Sequence, residues 1–144
     1  VDSMTRLNKA ARDAARDLRV HAATDVTGFS LSGHSLEVAE NSGVTVEIDT
    51  AKVPILTEAE ELARFGFIPE GMYNNLDWVN GKIYYSPSIP LEKRDLMLDP
   101  QTSGGLLFFL PMEDAETLVK RMDKDYVRII GRVKKKGEYS VEFI

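Results

Sequence analysis

The most restrictive feature of this sequence is the shortness of its apolar runs. The longest, residues 106–110, has the length of a strand, whereas about 20 apolar residues are needed to cross a bilayer. The chain must therefore bury its apolar side chains by folding on itself, and we expect no membrane partner. Its 144 residues can bury roughly two-thirds of their surface around one core, so we predict a single domain.

Apolar positions in the first third of the chain switch between helical spacing and strand spacing. Spacing of three and four residues predicts one buried helix face, and strict alternation predicts a strand. The predicted elements are a helix over 4–18 capped by Ser3, a strand over 20–24, a helix over 29–40 that stops at residues 41–43, and a strand over 44–48.

The rest of the chain continues this mixture. A capping box at residues 57–60 predicts a helix that ends at Gly66. Residues 69–90 are rich in Pro, Gly, Asn, Ser and Tyr, which predicts a long ordered loop or a hairpin excursion, with one strand over 82–85. The remaining predicted elements are helices over 91–97 and 112–122, a buried strand over 106–110, and closing strands over 127–133 and 139–143. Helices and strands do not alternate strictly, so we predict an α+β fold with a mixed sheet backed by helices.

The charges are distributed unevenly along the chain. The net charge is −5, but residues 120–136 contain eight basic and two acidic side chains. Such a segment can contact nucleic acid phosphates or form a solvated hairpin turn at Lys134, Lys135 and Lys136. We predict the turn and no nucleic acid partner, because a nucleic-acid-binding domain usually has a basic balance overall.

The chain contains no cysteine and only two histidines, His21 and His34. A disulfide scaffold, a thiolate metal site and a cysteine nucleophile are therefore excluded within these residues. The histidines lack the spacing of a metal pair. We predict that His34, on the first turns of the second helix, is a hydrogen-bonded structural residue.

The first candidate site is the loop over residues 24–28, between a predicted strand and a predicted helix. Free backbone N–H groups at a helix start favour an anion, but Asp25 would repel phosphate unless a hard cation lies between them. Mg²⁺ prefers this combination of carboxylate and phosphate ligands. The alternative is that Asp25 or Thr27 simply caps the helix.

The second candidate site is the loop over residues 99–105, which precedes the apolar run. Its glycines allow close backbone approach, and the Thr102 and Ser103 hydroxyls can donate to anionic oxygens. A Walker loop is excluded because the lysine that should follow the glycines is absent. The alternative is a tight turn without a ligand.

Both loops carry long motifs of a known family. Residues 24–34, TDVTGFSLSGH, resemble the motif TDVTGFGLLGH of selenophosphate synthetase (selenide, water dikinase), and residues 94–107 resemble its second signature, with DPQTSGGLL intact. Pro69, Gly71 and Asn75 match a further P-x-G-x-x-x-N element. The resemblance extends over essentially the whole chain.

The resemblance implies one C-terminal domain, residues 1–144, of a larger two-domain enzyme, with the fold of the aminoimidazole ribonucleotide synthetase C-terminal domain. The N-terminal domain, absent here, would hold the nucleophile and most of the ATP site, so no catalytic residue is expected in this chain. The parent enzyme would be a cytoplasmic homodimer that converts ATP, selenide and water into selenophosphate, AMP and phosphate with Mg²⁺. This piece alone would be inactive.

Residue by residue, the resemblance implies that Asp25 is a Mg²⁺ ligand at the domain interface. The residues that would shape the same cleft are Thr24, Thr27, Gly28, Thr102, Ser103, Gly104 and Gly105. The sequence departs from the motif at Ser30, where the family has Gly, and at Ser32, where it has Leu. If the first of these positions needs a positive φ, Ser30 costs about 1 kcal/mol.

Two other functions stay open at this point. One is a related ATP-dependent phosphotransferase or ligase of the same superfamily. The other is an independent binding module that uses the basic residues 134–136.

Overall fold

The computed structural model describes residues 2–122 and 127–144. Its helices are α1 (Asp2–Thr5), α2 (Lys9–Ala15), α3 (Ser30–Ser42), α4 (Ala59–Arg64), α5 (Glu70–Val79), α6 (Leu91–Met97) and α7 (Met112–Arg121). Its strands are β1 (Ala22–Asp25), β2 (Val44–Ile48), β3 (Ile83–Tyr85), β4 (Leu106–Phe109), β5 (Gly131–Lys135) and β6 (Val141–Phe143).

The strands form two sheets. The larger has the order β3-β6-β2-β5, in which β2 runs antiparallel to β5 and parallel to β6, and β6 runs parallel to β3. The smaller pairs β1 with β4 in antiparallel register, with Asp25 opposite Leu106. The predicted α+β fold with a mixed sheet is confirmed.

The core lies between α3 and the larger sheet. Leu36 and Ala39 of α3, Ile48 of β2, and Val141 and Phe143 of β6 are buried almost completely. The Tyr85 ring stacks parallel to the Phe143 ring, with centroids 5.0 Å apart. Each large apolar side chain buried in this way contributes roughly 1.5–3 kcal/mol to folding, and α3 is thereby fixed against β2, β6 and β1.

Glycine ends two of the predicted helices where expected. Gly43 follows α3 with φ +64°, and Gly66 lies two residues beyond α4 with φ +83°. Both adopt the left-handed conformation that glycine reaches without steric cost. The predicted capping box does not form, because α4 begins after Glu58 and no side chain caps it.

The first predicted helix is wrong as a single element. It is divided into α1 and α2, and the side-chain amide of Asn8, just before α2, donates to the Gly104 carbonyl oxygen at 3.3 Å. Ala15 is its one described buried residue, and Leu7 is 76% exposed. The spacing of the apolar side chains predicted a buried face along the whole helix, but the described burial is confined to Ala15 of α2, which packs against α7.

The predicted loop over 69–90 is also wrong in part, since ten of its residues form α5. Pro69 is extended before the helix and α5 buries Met72, Asn75 and Val79, so tertiary packing outweighs the turn-rich composition. The strand predicted over 82–85 is confirmed as β3.

The strand β4 is half-buried rather than buried. Its residues line a cavity of about 450 Å³ together with Ala115 and Leu118 of α7 and residues 127–133. The strand predicted over 127–133 begins only at Gly131.

The predicted hairpin at Lys134–Lys136 does not exist, because β2 lies between β5 and β6 in the sheet. Lys134 instead donates to the Glu47 and Glu142 carboxylates at 2.9 and 2.7 Å, and the Arg132 guanidinium donates to Glu47 at 2.7 Å. These hydrogen bonds, first from Lys134 and then from Arg132, hold the pKa of the buried Glu47 carboxyl below its usual value of 4.5. The basic residues here hold three adjacent strands together.

We expect Glu47→Gln to lower the free energy of unfolding near neutral pH by about 1 kcal/mol, since Arg132 is largely exposed and the pairs are screened by solvent. A carboxyl whose pKa is lower in the folded state than in the unfolded state stabilises the fold at pH values above its unfolded-state pKa. This contribution is lost as the pH falls through its folded-state pKa. The difference between the two proteins in urea denaturation should therefore shrink as the pH falls below the ordinary Glu pKa of about 4.5. Glu138→Gln, which changes an exposed carboxylate in the loop between β5 and β6, is the control. A constant difference across pH would contradict this assignment.

Candidate functional site

The two motif loops are joined by backbone hydrogen bonds. The Val26 N–H donates to the Gly105 carbonyl at 3.0 Å, and the Gly104 N–H donates back to the Val26 carbonyl at 3.0 Å. The Gln101 N–H donates to the Thr27 carbonyl at 3.1 Å. These bonds continue the β1–β4 ladder beyond Asp25 and Leu106, so the structure brings both predicted loops to one place.

Gly104 permits this close approach. A Cβ at position 104 would lie nearer to the Val26 carbonyl oxygen than the 3.0 Å that real Cβ atoms keep. Gly28 and Gly105 differ, because each has open space where a Cβ would stand and neither has a positive φ. No contact with the described residues therefore requires glycine at positions 28 and 105.

Helix α5 braces the two loops from behind. The buried Asn75 amide donates to the Gly28 and Leu98 carbonyls, both at 3.0 Å, and so links the last residue of the first loop to the residue before the second loop. A Cβ on Gly71 would lie 3.0 Å from the Pro100 ring. Gly71 and Asn75 are recognised as residues of the P-x-G-x-x-x-N motif, but the sequence indicates no structural role for them because their segment is predicted to be a loop.

Asp25 is exposed at the end of β1. None of the described side chains hydrogen-bonds to or pairs with its carboxylate, while the Thr24 hydroxyl donates to its backbone carbonyl at 3.0 Å. The alternative that Asp25 or Thr27 caps α3 is wrong, since Phe29 occupies the N-cap and no side chain caps the helix. The carboxylate is thus free to bind a ligand from outside the chain.

The side chains of the second loop divide into exposed and internal groups. Thr102 and Ser103 are exposed, and no described residue hydrogen-bonds to their hydroxyls. Asp99 is half-buried, and burial raises the pKa of its carboxyl although the Gln101 amide donates to it at 2.8 Å. Thr102 and Ser103 therefore present donors to solvent.

These residues fit a shared magnesium site but not a complete one. The described part of the chain contains no group of three or more His, Cys, Asp or Glu side chains that could hold a metal ion. Mg²⁺ is often bound by one or two carboxylates together with phosphate oxygens and water. Asp25 can supply one ligand to such an ion, and the others must come from elsewhere.

A family model described as AIR synthase related protein, C-terminal domain, matches residues 2–144. The chain belongs to the AIR synthase related C-terminal domain family. Curated relatives named selenide, water dikinase share 46% identity over 137 residues in Clostridium botulinum and 44% over 144 residues in Caldanaerobacter subterraneus. These alignments cover 94% and 98% of this chain but only 40% and 42% of the relatives.

The AIR synthase related domain thus spans about two-fifths of the length of the relatives it matches. A relative of the same name from Treponema denticola is 39% identical over 142 residues, again with 40% of its length covered. Among the residues that the structure describes, no helix is long and apolar enough to cross a membrane.

An aromatic pair borders the first loop of this AIR synthase related domain. The rings of Phe29 and Trp78 stack with centroids 5.3 Å apart, and they are 50% and 42% exposed. A Cβ on Gly33 would lie 3.0 Å from the Trp78 ring and closer still to Phe29, so Gly33 lets α5 approach α3. Large exposed aromatic side chains next to a motif loop are typical of a contact surface.

The two departures from the family motif have different structural consequences. Ser32 is buried and well accommodated, because its hydroxyl donates to the Met97 carbonyl at 2.8 Å and lies 3.0 Å from the Tyr85 hydroxyl. Ser30 is fully buried with φ +68°, the one positive φ among the described non-glycine residues. The motif's glycine position therefore does need a left-handed backbone, as anticipated.

We expect Ser30→Gly to raise the free energy of unfolding by about 1 kcal/mol, because glycine adopts this conformation without the Cβ penalty. Ser30→Ala keeps the strain and loses the 3.4 Å hydrogen bond from the Gly33 N–H, so it should not stabilise the domain. Chemical denaturation of both variants measures the difference. A more stable alanine variant would contradict the role assigned to φ.

Proposed function

We propose that this chain is the C-terminal domain of a selenide, water dikinase, which forms selenophosphate, AMP and phosphate from ATP, selenide and water. The observation that carries the proposal is the joining of the two motif loops, with the unpartnered Asp25 carboxylate at their edge. The names of the relatives, matched at 39–46% identity over nearly the whole chain, support the same reaction.

In this proposal Asp25 supplies one ligand to Mg²⁺ at a cleft shared with the rest of the enzyme. The bound ion neutralises charge on phosphate oxygens during phosphoryl transfer. Around it, the open sides of Gly28 and Gly105 let anionic oxygens approach the backbone, and the exposed hydroxyls of Thr102 and Ser103 donate to them. Thr24 and Gly104 hold the loop backbones in place.

The part of the relatives that this chain does not match would supply the nucleophile and most of the ATP site. The exposed Phe29 and Trp78 rings lie beside the cleft residues and would offer an apolar contact surface to that other part of the enzyme. On the family resemblance, we assign the complete enzyme to the cytoplasm as a homodimer. The chain in isolation would then lack dikinase activity.

The test is a product assay by phosphorus NMR on the full-length protein with ATP, Mg²⁺ and selenide. We expect selenophosphate, AMP and phosphate in equal amounts, and no AMP when selenide is omitted. The 144-residue chain alone is the matched control and should form none of the three. ATP turnover to ADP with an amide acceptor, and none with selenide, would instead assign the protein to another reaction of the superfamily.

A further inference from the structure

A chain of three hydrogen-bonded side chains leads from the first motif loop into α3. The Thr27 Oγ1 atom lies 3.0 Å from His34 Nε2, and His34 Nδ1 lies 3.0 Å from Glu37 Oε2. His34 is 8% exposed, and the Phe29 ring contacts it edge-on with centroids 5.8 Å apart. The imidazole is therefore held in one orientation between Thr27 and Glu37.

The outer end of this chain fixes the hydrogen bond between Glu37 and His34. An ionised carboxylate only accepts hydrogen bonds, so Glu37 requires a proton on His34 Nδ1. In the neutral imidazole the other nitrogen, Nε2, is then bare and accepts. With a neutral ring, the Thr27 hydroxyl donates its single hydrogen to Nε2, and only its lone pairs remain for another partner.

This assignment restricts what Thr27 can bind. Phosphate oxygens also accept, and they gain nothing from a hydroxyl whose hydrogen is already donated elsewhere. A divalent cation binds an oxygen lone pair directly, and a water bound to the cation donates a hydrogen bond to such a lone pair. Thr27 lies two residues after Asp25, and its backbone is fixed by bonds from Ser30 and Gln101 to its carbonyl.

We propose that His34 and Glu37 are positioning residues that keep the Thr27 hydroxyl in an acceptor state, so that Thr27 serves the divalent cation bound at Asp25 and not the phosphate oxygens. This inference rests on the proposed function for the identity of the ion. It gives Thr27, which the family resemblance implies only as a residue shaping the cleft, a place in the cation's surroundings.

The hydrogen-bond order is tested directly on this chain by nitrogen NMR of the imidazole, which distinguishes a protonated ring nitrogen from a bare one. We expect the His34 ring to carry its proton on Nδ1. We expect Glu37→Ala to abolish the preference of the proton for Nδ1 over Nε2. Glu40→Ala is the matched control, because Glu40 lies on the same helix but contacts Lys82. A proton on Nε2 of the unmodified chain, in a neutral or charged ring, would overturn the inference.

The role toward the cation is tested in the full-length protein with Thr27→Val and Thr27→Ser. Valine keeps the shape without the oxygen, and we expect it to raise the Mg²⁺ concentration for half-maximal activity about tenfold, in the range seen when partners of metal ligands are removed. Serine should restore the unmodified value. An increased KM for ATP with unchanged Mg²⁺ dependence would overturn the inference and assign Thr27 to phosphate binding instead.

The two proposals fail in distinguishable ways. A full-length protein without selenide-dependent AMP formation would refute the proposed function, whereas the imidazole measurement needs no activity at all. A normal dikinase whose His34 carries its proton on Nε2 would refute this inference alone.

Discussion

Asp25→Asn in the full-length protein is expected to reduce selenide-dependent AMP formation about 100-fold or more, the range in which loss of one charge-stabilising group at a transition state falls. Asparagine keeps the shape of the side chain but removes the negative charge that favours a hard cation. The exposed carboxylate has no partner among the described residues, so folding should be unaffected. Initial rates measured by AMP release at saturating ATP provide the comparison.

Glu138→Gln is the matched control for Asp25→Asn, because it makes the same carboxylate-to-amide change at an exposed position in the loop between β5 and β6. It should keep the rate of the unmodified enzyme. Both variants should unfold within about 0.5 kcal/mol of the parent, as exposed substitutions usually do. Near-normal turnover of Asp25→Asn would remove this residue from the magnesium site.

Gly104→Ala should be the most destabilising single methyl addition in the two loops. The new Cβ would overlap the Val26 carbonyl oxygen, which is backbone and cannot rotate away, so the loops must separate and lose their mutual hydrogen bonds. We expect a loss of about 3 kcal/mol in the free energy of unfolding. For a chain of this length, that corresponds to a fall in Tm of roughly 10 °C.

Gly105→Ala is the control for this effect. It adds the same methyl group one residue later, where the space is open and φ is not left-handed. Its free energy of unfolding should stay within about 0.5 kcal/mol of the parent value. Equal losses in the two variants would show that glycine is needed for backbone freedom in this loop and not for close approach.

The sequence predicted those helices and strands that have a local signature, such as a glycine at the helix end or alternating apolar residues in a strand. Gly43 and Gly66 ended helices, and the alternation over 44–48 predicted β2. The segment around α5 was mistaken for a loop because its helix is stabilised by burying Met72 and Asn75, and no local pattern reports that contact. Helix propensity alone predicts a helix poorly where tertiary packing provides most of its stability.

For the candidate site, the motifs identified the two loops but not the contacts between them. The motif residues indicate Asp25 and the two loops, whereas the pairing of the loops, the hydrogen bonds from Asn75 and the link from Thr27 to His34 depend on how the strands and helices pack. The hairpin expected at the lysines failed for a related reason. Adjacent strands in sequence need not be neighbours in a sheet, and β2 separates them here.

The position of β6 in the larger sheet has a consequence for how the domain is made. This strand follows every other element in chain order, yet it lies between β3 and β2 and buries Val141 and Phe143 completely. During synthesis β3 cannot join the sheet that contains β2 until β6, which pairs with both strands, has left the ribosome. The sheet must therefore assemble late and cooperatively, and the nascent domain exposes its strand edges until that step.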